Sequence, residues 1–390
     1  MKDQKNNVWM YVSIAAIILL LIVGSLFIIK SVNANKTGEK KYTGAEMLTL
    51  WSDDSPAKKQ LIEYVEAVTK EGGEDYIPRV KRIAVFDMDG TLCSETNPTY
   101  FDYSLYMHRI LEDDTYKGKA TDFEKDVARR IYEAVINGGP ADGIPTDHGK
   151  CIASSFEGMS VDDFENYIVA FADTPAPGYT NLTRGESFYQ PMIQVIDYLL
   201  ENDFSVYIVS GSDRFLARAL IADNGKLNLP PSHIIGSDQS VVATAENGED
   251  GLDYQFTNTD KPVLGGEFLV KNLKMNKVSV INREIGAQPV LSFGNTTGDQ
   301  SMAEYTISNN PYRSLAFMVC CDDLEREYGN LKQAQDMYDL CDQYGWTSIS
   351  MKNDWKTIYG ENVEKTSDTK PNPFPIEQLN DDEAESDDAA

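Results

Sequence analysis

The apolar and polar positions of the chain switch between two periods, and the switches mark its elements. Ile83–Phe86 is a short apolar run that meets Asp87 and Asp89 before Gly90 and Thr91 break it. Such a run, closed by glycine, predicts a buried strand ending in a tight turn. Phe204–Val209 repeats the pattern and delivers Ser210 and Gly211, and a third run, Pro289–Phe293, leads into Gly294, Asn295 and Asp299. Further strands are expected at His233–Gly236, Ser314–Cys320 and Trp346–Met351, with hairpin material around Tyr254–Phe256 and Glu267–Val270.

Between the strands the period is helical. Ser55-Pro56 opens a helix carrying Leu61, Tyr64, Val65 and Val68, which Gly72-Gly73 stops. Residues 92–187 are mostly helical: Phe123, Val127, Ile131 and Val135 form one apolar stripe, and Ser160 caps a helix that begins at Val161. This insertion, placed directly after the first strand, has the position of a lid; Tyr100, Phe101 and Tyr103 are its aromatics, for which core packing is expected ahead of lining a pocket. The segment from Met192 is helical, and a short helix is expected over Ser212–Ala222.

The amino end differs from everything else. Val8–Ile29 is 22 residues without a charge. As a helix it spans about 33 Å, enough for a bilayer core, so an uncleaved membrane anchor is expected, with cleavage after Ala34 as the rival. Lys2 and Lys5 precede it, while Lys30, Lys36, Lys40 and Lys41 follow. A literal positive-inside count keeps the body cytoplasmic, whereas a single amino-terminal span more often exports the domain behind it.

Charge narrows the partners. Asp plus Glu is 62 against 35 for Lys plus Arg, a net charge of -27. Such a surface repels polyanions, so nucleic acid is not an expected partner. The five cysteines, Cys93, Cys151, Cys320, Cys321 and Cys341, contain no C-x-x-C pair and match neither a zinc site nor a dense disulfide framework.

The strands ending at Asp87, Ser210 and Asn295/Asp299 describe an α/β sheet whose edge collects carboxylates, a hydroxyl and the Lys277 ammonium. Magnesium takes hard oxygen ligands, and Asp87, Asp299 and the backbone carbonyl of Asp89 are candidates. Ser210 and Lys277 suit phosphoryl oxygens. One carboxylate then serves as nucleophile and the other carries a proton.

The ordered set DMDGT at 87–91, Ser210, Lys277 and GNTTGD at 294–299 resembles the haloacid dehalogenase (HAD) superfamily. The resemblance implies a Rossmann-like core with a parallel sheet and an inserted helical cap, here behind an amino-terminal transmembrane helix. It implies that Asp87 attacks phosphorus to give an aspartyl-phosphate and that Asp89 protonates the leaving oxygen and then activates water. Ser210, Gly211 and Lys277 hold the phosphoryl group, and Asp87, Asp89 and Asp299 bind Mg²⁺. The dehalogenase branch lacks the second acid, so Asp89 points to phosphate esters. The cap and the IVSG strand are similar to phosphoserine phosphatase. YQPM at 189–192, EREY at 325–328 and MKNDW at 351–355 resemble a bacterial branch of exported HAD phosphatase-like proteins, which favours an extracytoplasmic body.

Asn295 stands where many relatives carry an acid, as a metal or water-orienting candidate, and Cys320-Cys321 stand where that branch has histidine. Glu95 is near the position of an amine-binding acid, displaced by one residue, and Arg109, Arg129 and Arg130 are cap candidates for substrate contacts. The expected organisation is an anchor over 1–35, a linker and amphipathic helix over 36–80, a hydrolase domain over 81–360 with its cap at about 93–187, and an acidic disordered tail over 361–390. The expected activity is Mg²⁺-dependent hydrolysis of a small phosphomonoester. Two alternatives stay open: a phosphoserine phosphatase proper, and a non-catalytic protein of the same fold that binds a ligand at the cell surface.

Overall fold

β1 (Ile83–Phe86) is buried along its whole length and forms the middle of a seven-stranded sheet. The computed structural model describes residues 43–223 and 227–379. In sequence order the other strands are β2 (Ser205–Asp213), β3 (Ile234–Ala243), β4 (Pro262–Val270), β5 (Leu291–Gly294), β6 (Leu315–Cys320) and β7 (Thr347–Ser350). Their spatial order is β4-β3-β2-β1-β5-β6-β7. Phe86 pairs with Ile208 on one side and Phe293 on the other, so β1 and β5 end nearly level while β2 runs on past them. Phe86, Phe293 and Phe317 stack across adjacent strands at 4.2 and 5.0 Å, filling one face of the sheet with aromatic area.

The sheet is not wholly parallel. β4 runs antiparallel to β3 because the chain returns through a loop without a crossover helix, and a direct return permits only antiparallel pairing. Tyr254–Phe256 lies in that loop and is no strand. β2 continues past Ser210 to Asp213, with a register shift against β3. The helix expected from Ser212 therefore begins at Arg214, where Asp213 caps it by accepting from the amides of Phe215 and Leu216 at 2.9 and 3.2 Å.

Helix α1 (Pro56–Thr69) starts on Ser55, whose hydroxyl accepts from Lys58 N at 3.0 Å, and buries Leu61, Tyr64, Val65 and Val68. Four helices fill the insertion between β1 and β2: α2 (Phe101–Leu111), α3 (Asp122–Ile136), α4 (Ile144–Ser155) and α5 (Val161–Ala172). A capping box of Thr121 and Glu124 opens α3, and Ser160 caps α5. Val127 and Ile131 face the core, whereas Phe123, at the first turn of the helix, is largely exposed. Inside this insertion His148 packs against the rings of Tyr103 and Tyr106. Among the described residues no helix is long and apolar enough to cross a membrane. The expected span, Val8–Ile29, lies outside the described residues.

The carboxy-terminal segments converge on one buried acid. Glu327 accepts from Thr96 Oγ1 at 2.7 Å, Tyr179 OH at 2.5 Å, Tyr328 N at 2.7 Å and the Tyr359 hydroxyl. Arg326 beside it donates to the carbonyls of Met351 and Trp355 at 2.7 and 2.9 Å. EREY and MKNDW therefore tie the last strands to the loop after β1. Residues 361–379, expected as part of a disordered tail, instead place Phe374 and Leu379 in the apolar core. Those two residues supply the apolar area that the acidic composition concealed. All five cysteines are buried and free.

Two outcomes follow from this packing. Glu327→Ala leaves buried hydroxyls of Tyr179, Tyr359 and Thr96 without their acceptor, and is expected to lower unfolding free energy by about 3 kcal/mol or more. A denaturant midpoint equal to wild type would contradict the network. Burial, only partly offset by Asp102, pushes His148 down to about 4. Between pH 6.5 and about 4 the unfolded chain then takes up a proton that the fold refuses, so stability falls as pH drops through that window. His148→Asn is expected to flatten this part of the stability profile, and an unchanged slope would count against the assignment.

Candidate active site

The turn after β1 is wound around one carbonyl. The amides of Thr91, Leu92 and Cys93 all point to Met88 O, at 3.2, 2.7 and 3.1 Å. Gly90 has φ +77, and a Cβ there would strike the Asn295 amide and come within 2.7 Å of the Glu95 carboxyl carbon. Only glycine fits this turn, which keeps Asp87 and Asp89 at the carboxyl edge of the sheet.

Asp87 is clamped from below. The Lys277 ammonium, on α8 (Met275–Val280) when the intervening helices Gln190–Glu201 and Arg214–Arg218 are α6 and α7, lies 2.5 Å from Asp87 Oδ1 and 2.7 Å from Asp299 Oδ1. Lys277 has no exposed surface. Asp299 Oδ2 accepts from the amides of Asn295 and Thr296 at 3.1 and 3.2 Å, so both its oxygens are engaged. Asp89 takes a different partner: the Ser212 hydroxyl donates to its Oδ2 at 2.8 Å.

The electrostatics separate the two acids. Burial, then the Asp299 charge, pushes Asp87 up to about 7 against the pull of Lys277. Burial, with Asp102 and Asp87 adding to it, holds Asp89 well above the usual carboxylate range. Burial works against the Lys277 charge, but Asp299 and Asp87 outweigh it and raise the ammonium.

A cavity of about 300 Å³ opens over these groups. Asp87, Asp89, Asn295 and Asp299 form its floor, and Gly211 with Ser212 forms one side. Tyr100, Asp102, Tyr103 and Pro145 reach it from the insertion, and Lys271, Leu273 and Lys274 from the loop after β4. The insertion is thus a cap over the carboxylates; Tyr100 and Tyr103 line the cavity, where core packing was the stronger expectation, and Phe101 packs in the core against Phe171.

Not every expected residue arrives. Ser210 is fully buried and does not line the cavity; its hydroxyl accepts from Ser212 N at 3.0 Å. The register shift at the end of β2 brings Ser212 forward instead. Glu95 accepts from Gln333 Nε2 at 3.0 Å and lies beneath the turn, outside the cavity lining, where burial pushes it up to about 8. Arg109 donates to Ser155 O and Asp113, Arg129 to Leu379 O, and Arg130 to Asp126 and Asp147, so the cap arginines serve the fold. Ser212, Asp102, Lys271 and Lys274 were not singled out from the sequence. A serine two positions past Ser210 was a visible signal; the two lysines carry none.

No curated protein matches the chain. Among solved structures, the chain is similar to a conserved protein of unknown function from Anaerococcus prevotii DSM 20548, at 13% identity and TM-score 0.45, covering 75% of this chain and 91% of that one. It is also similar to cytosolic 5'-nucleotidase IIIB bound to cytidine, at 10% identity and TM-score 0.44, covering 86% and 94%. A third is a phosphoserine phosphohydrolase-like protein from Francisella tularensis subsp. tularensis SCHU S4, at 13% identity and TM-score 0.36, covering 70% and 95%. The family model for haloacid dehalogenase-like hydrolases matches residues 84–304, which contain β2 to β5, all but the first residue of β1, and Asp87, Asp89 and Asp299, and the chain belongs to that family.

Proposed function

We propose that the protein is a Mg²⁺-dependent phosphomonoesterase that works through an aspartyl-phosphate on Asp87. The observation that carries this reading is the unequal pair of acids. One carboxylate is held by a buried ammonium, and its neighbour two residues on bonds a serine hydroxyl and has its carboxyl raised by burial and like charge.

The donor set suits one hard divalent cation. Asp87 and Asn295 line the cavity with oxygen-bearing side chains, and magnesium commonly uses one or two carboxylates together with water and phosphate. Among the described residues no three His, Cys, Asp or Glu side chains form a metal-holding group. Asp299 lines the same cavity and, besides holding Lys277, stays with Asp87 and Asp89 in the proposed ligand set. The ion, when bound, neutralises phosphate charge and favours the ionised form of Asp87.

In the first half-reaction an Asp87 oxygen forms a bond to phosphorus while the ester P–O bond breaks. The leaving oxygen takes the Asp89 proton. In the second, the Asp89 carboxylate takes a proton from water as its oxygen attacks phosphorus, releasing phosphate and restoring Asp87. Ser212 orients Asp89 through both steps, Lys277 holds Asp87 from beneath the cavity floor, and the Gly211–Ser212 corner offsets charge on the phosphoryl oxygens. The cap wall limits the cavity to a small substrate. Val8–Ile29 makes a membrane-anchored form part of this proposal, with the hydrolase body outside the cytoplasm.

Purified residues 35–390 are expected to hydrolyse an aryl phosphate with Mg²⁺ and to stop on EDTA. Asp87→Asn is expected to lower kcat by at least about a thousandfold, since the attacking oxygen is lost. Full activity in that variant would sink the mechanism. Asp89→Asn should cost more with an alkyl phosphate than with an aryl phosphate, because only the alkoxide needs a proton to leave. Equal losses of kcat/KM on both esters would remove Asp89 from protonating the leaving oxygen.

A further inference from the structure

The residue just before the Lys277 helix is strained. Lys274 has φ 55 and ψ -126, a backbone conformation that glycine adopts freely and a lysine does not. Its neighbours hold it there. Lys274 N donates to Gly298 O at 2.8 Å, Asn272 N to Ser237 Oγ at 2.9 Å, and Asn272 Nδ2 to Ser210 O at 2.9 Å. The loop 271–274 is thus pinned to β2, β3 and the turn after β5. It spends that rigidity on placing two lysines, Lys271 and Lys274, on one wall of the cavity.

Neither ammonium has an acid within ion-pair distance among the described residues, although the surface is strongly acidic. Lys271 is half buried, and Lys274 is exposed. Both differ from Lys277, which lies below the floor and is saturated by Asp87 and Asp299. Of the cap residues that line the cavity the only charged one is Asp102, whose Oδ1 has no hydrogen-bond partner and which lines a second, small pocket together with Lys271.

We propose that Lys271 and Lys274 form a second anion subsite, so that the substrate carries one further acidic group, a carboxylate or a second phosphate, besides the phosphoryl group that Asp87 attacks. This rests on the phosphatase reading of the same site. A lysine kept at a glycine conformation is explained by what its ammonium binds; the backbone alone would be better served by glycine. The loop's three anchors supply the pre-organisation that such a subsite needs.

The test compares kcat/KM, with Mg²⁺, for 2-hydroxyethyl phosphate, 3-phosphoglycerate and fructose 1,6-bisphosphate. The wild-type protein should favour at least one of the two doubly acidic esters over 2-hydroxyethyl phosphate by about tenfold or more. The choice between them identifies carboxylate or phosphate as the second group. Lys274→Gly should erase that preference without lowering the thermal midpoint. If the midpoint drops, Lys271→Gln is read by the same ratio. Equal kcat/KM for all three esters in wild type overturns the subsite. So does a loss of equal size on all three in the variants, because the lysines then act on the transferred phosphoryl group. Turnover of no ester at all, 4-nitrophenyl phosphate included, overturns the phosphatase reading itself.

Discussion

A buried ammonium holds this site together. Lys277, without exposed surface, sits between Asp87 and Asp299, and none of the three is tolerable in the interior alone. An unpaired buried charge costs several kcal/mol, of the order of the stability of a whole domain. The three residues come from the end of β1, from α8 and from the turn after β5, so the pairing is satisfied only when those elements meet. The same contact that completes the fold at this edge therefore sets the position of the Asp87 carboxylate.

The second acid is controlled by opposite means. Asp89 has a hydroxyl partner and acidic neighbours in place of an ammonium, and its carboxyl is raised where Asp87 is moderated. Two identical side chains two residues apart acquire different chemistry from what the sheet edge places against each. The cap takes part, since Asp102, which adds to the shift of Asp89, stands on its first helix, α2. Beneath the turn, Glu327 gathers hydroxyls from the loop after β1, the cap exit and the carboxy-terminal segment. The loop carrying the acids is thus braced from a part of the chain more than two hundred residues away.

The core of this arrangement was legible in the chain because it rests on short-range signals. An apolar run ending in acids and glycine marks a strand edge, and it did so at β1 and β5, where Asp87 and Asp299 were found in place. What depends on non-local geometry was less legible. Ser210 was expected at the phosphoryl group, but a register shift between β2 and β3 moves Ser212 to the cavity. Glu95 looked like a substrate residue by its spacing, and the turn folds it under Gly90 toward Gln333. The direction of β4 depends on a connection that composition does not describe, and Phe374 and Leu379 lie in an acidic stretch whose average hides two apolar anchors. The strain at Lys274 leaves no trace in composition, because nothing in a lysine announces a positive φ.

The central claim is that Asp87 becomes covalently phosphorylated. Its most direct test is acid quench of the protein during turnover of an aryl phosphate with Mg²⁺, followed by borohydride reduction and peptide mass analysis. The account predicts that the reduced residue, the mark of an acyl-phosphate, is found at Asp87 and vanishes when substrate is omitted. Steady hydrolysis of the ester with Asp87 recovered unmodified, or the mark on another carboxylate, would contradict it.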